Sequence, residues 1–433
     1  MSASNLSPRT AAAERLSLGA VLGERNVWLL FALGFATGFP HYVWLNTFAR
    51  TDLAIDDALF LSMIGFGMTS LIAVAVSPLL DRFAVPGLAR IGRRTSWVAA
   101  SLSAALLLLA LYIGTKLASE GAALRFAYVS GAAAMIVHAF MWIAVDALRV
   151  ELYRGRAQAV AAAATYLGGL TSIFLLSRLA LHGDTAEAAA AYAVLLAVGV
   201  SAVLLLREPP APANVGAADT IAYLGAWRSF TARNGPACLF LLAAIACFAL
   251  AGSIADFLGA QGYLVDLLRT DFRNYEPSTG NADAFLNSQT MTFTAVGVVA
   301  GMLIAFAMTP TRAFVFMMLS ILALLIFFVL CKIALGFTVF TVAGLFILRT
   351  LIWSGEFIVY LAIAARLTSP PHTASHLAII AVFGGVFWLS EKGARALAMP
   401  YGSYALAAGG IVAAVAAIVL MRLAARAARR AGN

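Results

Sequence analysis

Long apolar runs restrict what this chain can fold into more than any other feature. An α-helix rises about 1.5 Å per residue, so roughly 20 apolar residues are needed to cross the hydrocarbon core of a bilayer. Twelve runs meet that length: 26–49, 58–80, 95–115, 126–148, 157–181 and 187–206, then 236–262, 289–309, 313–332, 338–366, 373–392 and 401–421. Charged residues make up only 11% of the 433 positions, against about a quarter in a soluble domain. Too little polar surface remains to cover a water-exposed particle, so lipid is the solvent for most of the chain. The runs predict an all-α membrane protein with 12 transmembrane helices.

Turn and charge signals punctuate the runs, among them Asp81 to Arg94, Arg149 to Arg156, and Pro370-Pro371. The longest polar break in mid-chain runs from Arg207 to Gly235 and holds Pro209, Pro210 and Pro212. It splits the spans six and six. The expected organisation is a cytoplasmic N-terminal segment (1–25), a six-helix bundle (26–206), a cytoplasmic linker (207–235), a second six-helix bundle (236–421) and a basic cytoplasmic tail (422–433). A short amphipathic piece of the linker, Ile221 to Phe230, is expected to lie on the membrane surface. The first 25 residues lack the apolar core and cleavage site of a signal peptide. Arg50-Thr51-Asp52-Leu53 after the first span is echoed by Arg269-Thr270-Asp271-Phe272 after the seventh, which points to a parallel repeat of the two halves.

The net charge of +9 resides in short connections and at the two ends. With the N-terminus inside, Lys and Arg on the cytoplasmic side outnumber those outside by more than two to one. That bias places both termini in the cytoplasm. The same distribution argues against a nucleic-acid partner. Cys238, Cys247 and Cys331 all fall in apolar segments without a CxxC pair and read as small buried hydrophobes. His372 and His376 are one turn apart, but no third ligand accompanies them, so neither a metal nor a cofactor is expected.

Ionisable residues at the centre of a membrane helix cost about 2.5–3.5 kcal/mol each on insertion scales and therefore face a cavity or a partner. Here they fall on every third span. Span 1 carries His41 and Asn46; span 4 carries His138, Trp142 and Asp146; span 7 carries Asp256 and Gln261; span 10 carries Arg349, Trp353 and Glu356. These residues form the expected substrate and proton pathway. Arg349 and Glu356 are seven apart and share a helix face, so they neutralise one another directly or through a neighbour. Glu356 suits proton carriage, because a carboxyl in low dielectric is readily neutralised. Arg349 is always charged and suits an anionic group on a substrate. The triplet Gly38-Phe39-Pro40 is expected to break or kink the first helix. Asp81, Arg82, Arg93, Arg94 and Arg149, in and after charged loops, read as a gate that stabilises one state of a rocking cycle.

Several stretches resemble the AmpG-type permeases of the major facilitator superfamily. Gly34 to Pro40 (GFATGFP) is similar to that family's first-helix pattern. Ser77-Pro78-Leu79-Leu80-Asp81-Arg82, then Pro86, Gly92-Arg93-Arg94 and Trp97, resembles its loop between helices 2 and 3. Ile143 to Glu151 resembles its fourth-helix signature, and Glu356 with Thr373-Ala374-Ser375-His376 its helix 10 and 11 pattern. The resemblance implies a major facilitator fold of two six-helix bundles. It also implies a proton-driven importer of compounds such as muropeptides, siderophores or acyl-coenzyme A. Met141, Trp142 and Leu167 depart from the family's polar residues at those places.

The expected function is thus a proton symporter for a polar or amphipathic organic solute, a multi-pass monomer in a bacterial inner membrane. An exporter or exchanger of the same fold, or a non-transporting membrane sensor, is the alternative. No HExxH, GxSxG or phosphate-cradling glycine loop is present, and no enzyme activity is expected.

Overall fold

The computed structural model describes residues 17–49, 69–118, 136–137, 140–180, 185–209, 222–259, 282–386 and 391–431. Regular structure among the described residues is helical. The helices are α1 (Leu18–Leu22), α2 (Arg25–Ala49), α3 (Thr69–Arg82), α4 (Arg93–Ala118), α5 (140–152), α6 (Ala157–Ala180) and α7 (Thr185–Leu205). They continue with α8 (Ala222–Asn234), α9 (Cys238–Gly259), α10 (Ala282–Ala307), α11 (Pro310–Leu330), α12 (Val339–Leu367), α13 (Thr373–Val386) and α14 (Glu391–Ala431). Each expected span falls wholly or partly on one of these helices. Five stretches among the described residues are by themselves long and apolar enough to cross a bilayer: Cys238–Gly259, Thr290–Ala307, Pro310–Leu335, Phe340–Leu367 and Pro400–Ala428.

Three local features differ from the sequence reading. The helix α2 runs without interruption through Pro40. Membrane helices tolerate an internal proline because neighbouring groups satisfy the freed backbone. The last helix is two helices joined at Gly402, whose φ of 77° is a conformation that only glycine adopts cheaply. The linker forms α8, and its Ala226 and Phe230 are buried, with the Phe230 ring edge-on to His376 at 5.4 Å. Protein covers that part of the apolar face expected to lie on lipid.

Contacts group the chain into two units. One comprises Met1–Leu53, Gly67–Arg233 and Ala364–Val382; the other comprises Ala54–Phe66, Asn234–Ile363 and Phe383–Asn433. The start of α13, from the second half of the sequence, therefore belongs to the first unit.

Within each unit, glycines bring helix backbones together. Lipid is as apolar as leucine, so helices associate in it through close packing rather than hydrophobic burial. In the first unit α2 crosses α6, and a Cβ at Gly38 would lie 2.6 Å from the Gly169 carbonyl oxygen. A Cβ at Gly34 or Gly168 would run into the backbone of Thr165 or Phe31. In the second unit α10 crosses α12, where a Cβ at Gly301 would stand 2.5 Å from the Gly355 carbonyl oxygen and 2.6 Å from its Cα. That crossing fixes α12 at the residue just before Glu356.

Candidate functional site

In the first unit, charged residues gather where α3 ends and α4 begins. Gly92 precedes α4 with a φ of 118°, and the turn sends Arg93 and Arg94 back toward α3. Arg94, fully buried, donates to the Leu80 carbonyl at 2.7 Å and to Asp81 Oδ1 at 2.6 Å, and its Nη2 also donates to Glu151 at 2.8 Å. Burial works against its charge. The carboxylates of Asp81 and Glu151 outweigh that and hold its pKa above the usual arginine value. Arg93 donates to the Asp81 backbone carbonyl and pairs with Glu151 at 3.4 Å. Trp97 anchors the loop by donating to the Phe83 carbonyl at 2.7 Å and stacking on Phe140 at 5.7 Å.

Asp81 faces a second partner. Its Oδ1 accepts from the Ala374 N–H at 3.0 Å, and its Oδ2 accepts from the Ser375 N–H at 2.9 Å and hydroxyl at 2.6 Å. A carboxylate thus caps the N-terminus of α13, where unpaired N–H groups and the positive end of the helix dipole favour negative charge. One residue on, His376 accepts from the Ser369 N–H at Nδ1 (3.2 Å) and has Nε2 3.1 Å from the Ala226 carbonyl of α8. With Nδ1 accepting, Nε2 carries the proton and donates. Arg233, at the end of α8, donates to the Arg366 carbonyl at 3.4 Å.

Sequence reasoning missed Glu208. Its Oε2 accepts from the Arg94 N–H at 2.7 Å, the Thr95 N–H at 3.1 Å and the Thr95 hydroxyl at 3.3 Å, so it caps α4 from beyond the end of α7. Burial, aided by the charge of Glu151, pushes its carboxyl above the ordinary value despite those N–H bonds and Arg94. No local signal marks a cap that lies more than a hundred residues away.

Arg149 of α5 is fully buried and pairs with Asp146 at 3.0 Å, one turn earlier. Its Nε, Nη1 and Nη2 have no hydrogen-bond partner among the described residues, and both amide atoms of buried Gln158 are likewise unbonded. Among the described residues, no hydrogen bond or ion pair joins Arg149 to the Asp81 cluster.

In the second unit, α9 and α12 bring Asp256, Arg349 and Glu356 together. Arg349 Nε lies 2.5 Å from Asp256 Oδ1. The neighbour that neutralises Arg349 is therefore Asp256, on the facing helix. Glu356 is 3% exposed, and its Oε1 has no hydrogen-bond partner among the described residues. Its carboxyl group rests against Gly252, one turn from Asp256.

The remaining expected residues are scattered. Trp142 on α5 and Trp353 on α12 are half-buried, as is Arg82 at the end of α3. His41 and Asn46 lie on α2, but their side chains are outside the described set, and His138 and Gln261 fall outside the described residues altogether.

Known structures share this arrangement of helices. A fucose:proton symporter of E. coli, FucP, covers 93% of this chain and 97% of its own at a TM-score of 0.60 and 14% identity. A bacterial homologue of the iron transporter ferroportin, solved in an outward-facing state, covers 92% and 98% at a TM-score of 0.62 and 14% identity. The chain has the major facilitator fold. No family model matches the sequence. Over 150 residues it is 28% identical to the "Putative transporter AmpG 4" of Rickettsia conorii, and equally to that of Rickettsia felis. The match spans 34% of this chain and 36% of those relatives, about a third of their length. Among the described residues, each of the two units holds an arginine–aspartate pair, Arg149 with Asp146 in the first and Arg349 with Asp256 in the second.

Proposed function

We propose that this chain is a proton-coupled secondary transporter. It moves a polar or amphipathic organic solute across a bacterial cell membrane by alternating access, with both termini in the cytoplasm. The observation that carries this reading is Glu356. A carboxyl group is buried in a membrane helix, one of its oxygens has no hydrogen-bond partner among the described residues, and Asp256 holds Arg349. A buried carboxylate without a countercharge is costly enough that it takes up a proton instead. Glu356 is thus the group that is loaded and unloaded during the cycle. Arg349 offers its guanidinium to an anionic group of the solute, with Asp256 keeping it neutralised when no solute is bound.

The Asp81 cluster serves as the latch. Its bonds tie the end of α3 to the N-terminus of α13, a segment from the second half of the sequence. Breaking them releases a fully hydrogen-bonded buried carboxylate, so they favour the state in which they form. Relatives named as transporters and the fold support the transporter class. The solute is to be sought among muropeptide-, siderophore- and acyl-coenzyme A-like compounds. A radiolabelled uptake screen of these in proteoliposomes tests the proposal. Accumulation that rises with an imposed inward proton gradient supports it, and binding without flux refutes it in favour of a sensor.

A further inference from the structure

The helices α9 and α12 meet through side chains in one register. Phe248 stacks on Tyr360 at 6.3 Å, Gly252 lies against the carboxyl of Glu356, and Gly259 lies against the stem of Arg349. Steps of four and then seven residues along α9 are matched by the same steps backward along α12. The helices therefore run antiparallel, and Arg349 and Glu356 of α12 each fall on a glycine. Seven residues is about two helical turns, so both glycines share one face of α9.

The two glycines make room for different things. A Cβ on Gly259 would stand 2.6 Å from Arg349 Cβ and 2.9 Å from its Cγ, next to the backbone. A Cβ on Gly252 would meet Glu356 Oε2 at 2.7 Å and Cδ at 2.8 Å, and would overlap Oε1. Its three nearest atoms are all the free end of one side chain. Glycines in membrane helices ordinarily let backbones approach, as Gly301 does against Gly355. At Gly252 the vacated space is filled by a carboxyl group.

We infer that Gly252 is the positioning residue for Glu356, its absent methyl being the seat in which the carboxyl group is held buried, one turn from Asp256. The inference rests on the reading of Glu356 as the proton-carrying group, and it adds what fixes that group in place. The seat also explains the length of the acid. An aspartate would fall short of it by one carbon–carbon bond, about 1.5 Å, and a methyl at position 252 would fill the space that shortening leaves.

The test uses the full-length protein in detergent and four variants: G252A, E356D, G252A/E356D and, as a backbone-packing control, G301A. Residue 356 is probed with dicyclohexylcarbodiimide. The protonated carboxyl gives its proton to a reagent nitrogen while its oxygen bonds to the central carbon, and rearrangement leaves a stable N-acylurea counted by peptide mass spectrometry. Thermal unfolding is the second readout. The seat predicts that G252A folds and unfolds near the wild-type temperature while labelling of Glu356 falls about tenfold, the change that one pH unit of proton affinity makes. G252A/E356D regains labelling at position 356, and G301A unfolds at a clearly lower temperature. Wild-type labelling of Glu356 in the G252A variant overturns the seat, as does failure of G252A to fold or of E356D to restore labelling. If Glu356 is unlabelled in the wild type, the proton-carrier reading fails by itself. The seat is then decided by unfolding alone: E356D must lower the unfolding temperature of the wild type and leave that of G252A no lower, and an equal lowering in both overturns it.

Discussion

Asp256 and Arg349 lie 2.5 Å apart on facing helices of one unit, and each keeps about a fifth of its side-chain surface exposed. Breaking a buried pair by removing one partner costs about 3–5 kcal/mol, because the survivor is left uncompensated. Partial exposure lowers that here to about 2 kcal/mol. Asp256→Asn and Arg349→Gln are each expected to destabilise by that amount, and the double variant by less than either. Thermal unfolding followed with a thiol-reactive dye measures this, since Cys238 and Cys331 are buried until the fold opens.

Asp81 joins the end of α3 to the start of α13 through four hydrogen-bond donors: Arg94, the Ala374 N–H, and the N–H and hydroxyl of Ser375. Asparagine at this position turns one acceptor into a donor that faces other donors. Asp81→Asn is therefore expected to cost about 2–3 kcal/mol. It should also speed proteolysis or hydrogen exchange at residues 369–376 beyond the change elsewhere. Exchange mass spectrometry distinguishes that local release from a uniform loss of stability.

Glu208 gives a pH dependence with a definite sign. Burial raises its pKa in the fold above the ordinary carboxylate value of 4.5. Between the two values the folded chain holds a proton that the unfolded chain has released. Its contribution to stability is therefore fully present below 4.5 and is lost as pH rises through the folded pKa. Glu208→Gln resembles the neutral acid at every pH. The stability difference between wild type and variant should shift toward the wild type as pH falls from neutral to about 4.5, read from unfolding temperatures across that range.

Gly34 sits where α2 and α6 cross, and the atoms nearest an added Cβ are all Thr165 backbone. Backbone cannot rotate aside as a side chain can. Gly34→Ala is expected to cost about 1–3 kcal/mol through overpacking, seen as a lowered unfolding temperature.

Hydropathy alone made the helices readable, because length and apolarity are set locally, and each expected span falls wholly or partly on one of them. The recurrence of charge on every third span brought Asp256 and Arg349 under suspicion together, and the structure pairs them. The pairing itself was not readable: Arg349 and Glu356 share a helix face, yet the partner comes from across the helix interface. Gly252 and Gly259 repeat the seven-residue spacing of Arg349 and Glu356, a correspondence present in the sequence but meaningless until α9 and α12 are known to face each other. Glu208 and the docking of α8 on His376 depend on contacts over more than a hundred residues. No periodic pattern encodes those.

The most direct test of the account follows protons and solute together. In proteoliposomes holding a pH-sensitive dye, a solute identified by the uptake screen is added to the wild type and to Glu356→Gln. The wild type is expected to move protons with the solute and to accumulate it against a gradient. The variant should exchange solute across the membrane while accumulation and proton movement disappear. Proton-coupled accumulation by Glu356→Gln at the wild-type level would contradict it.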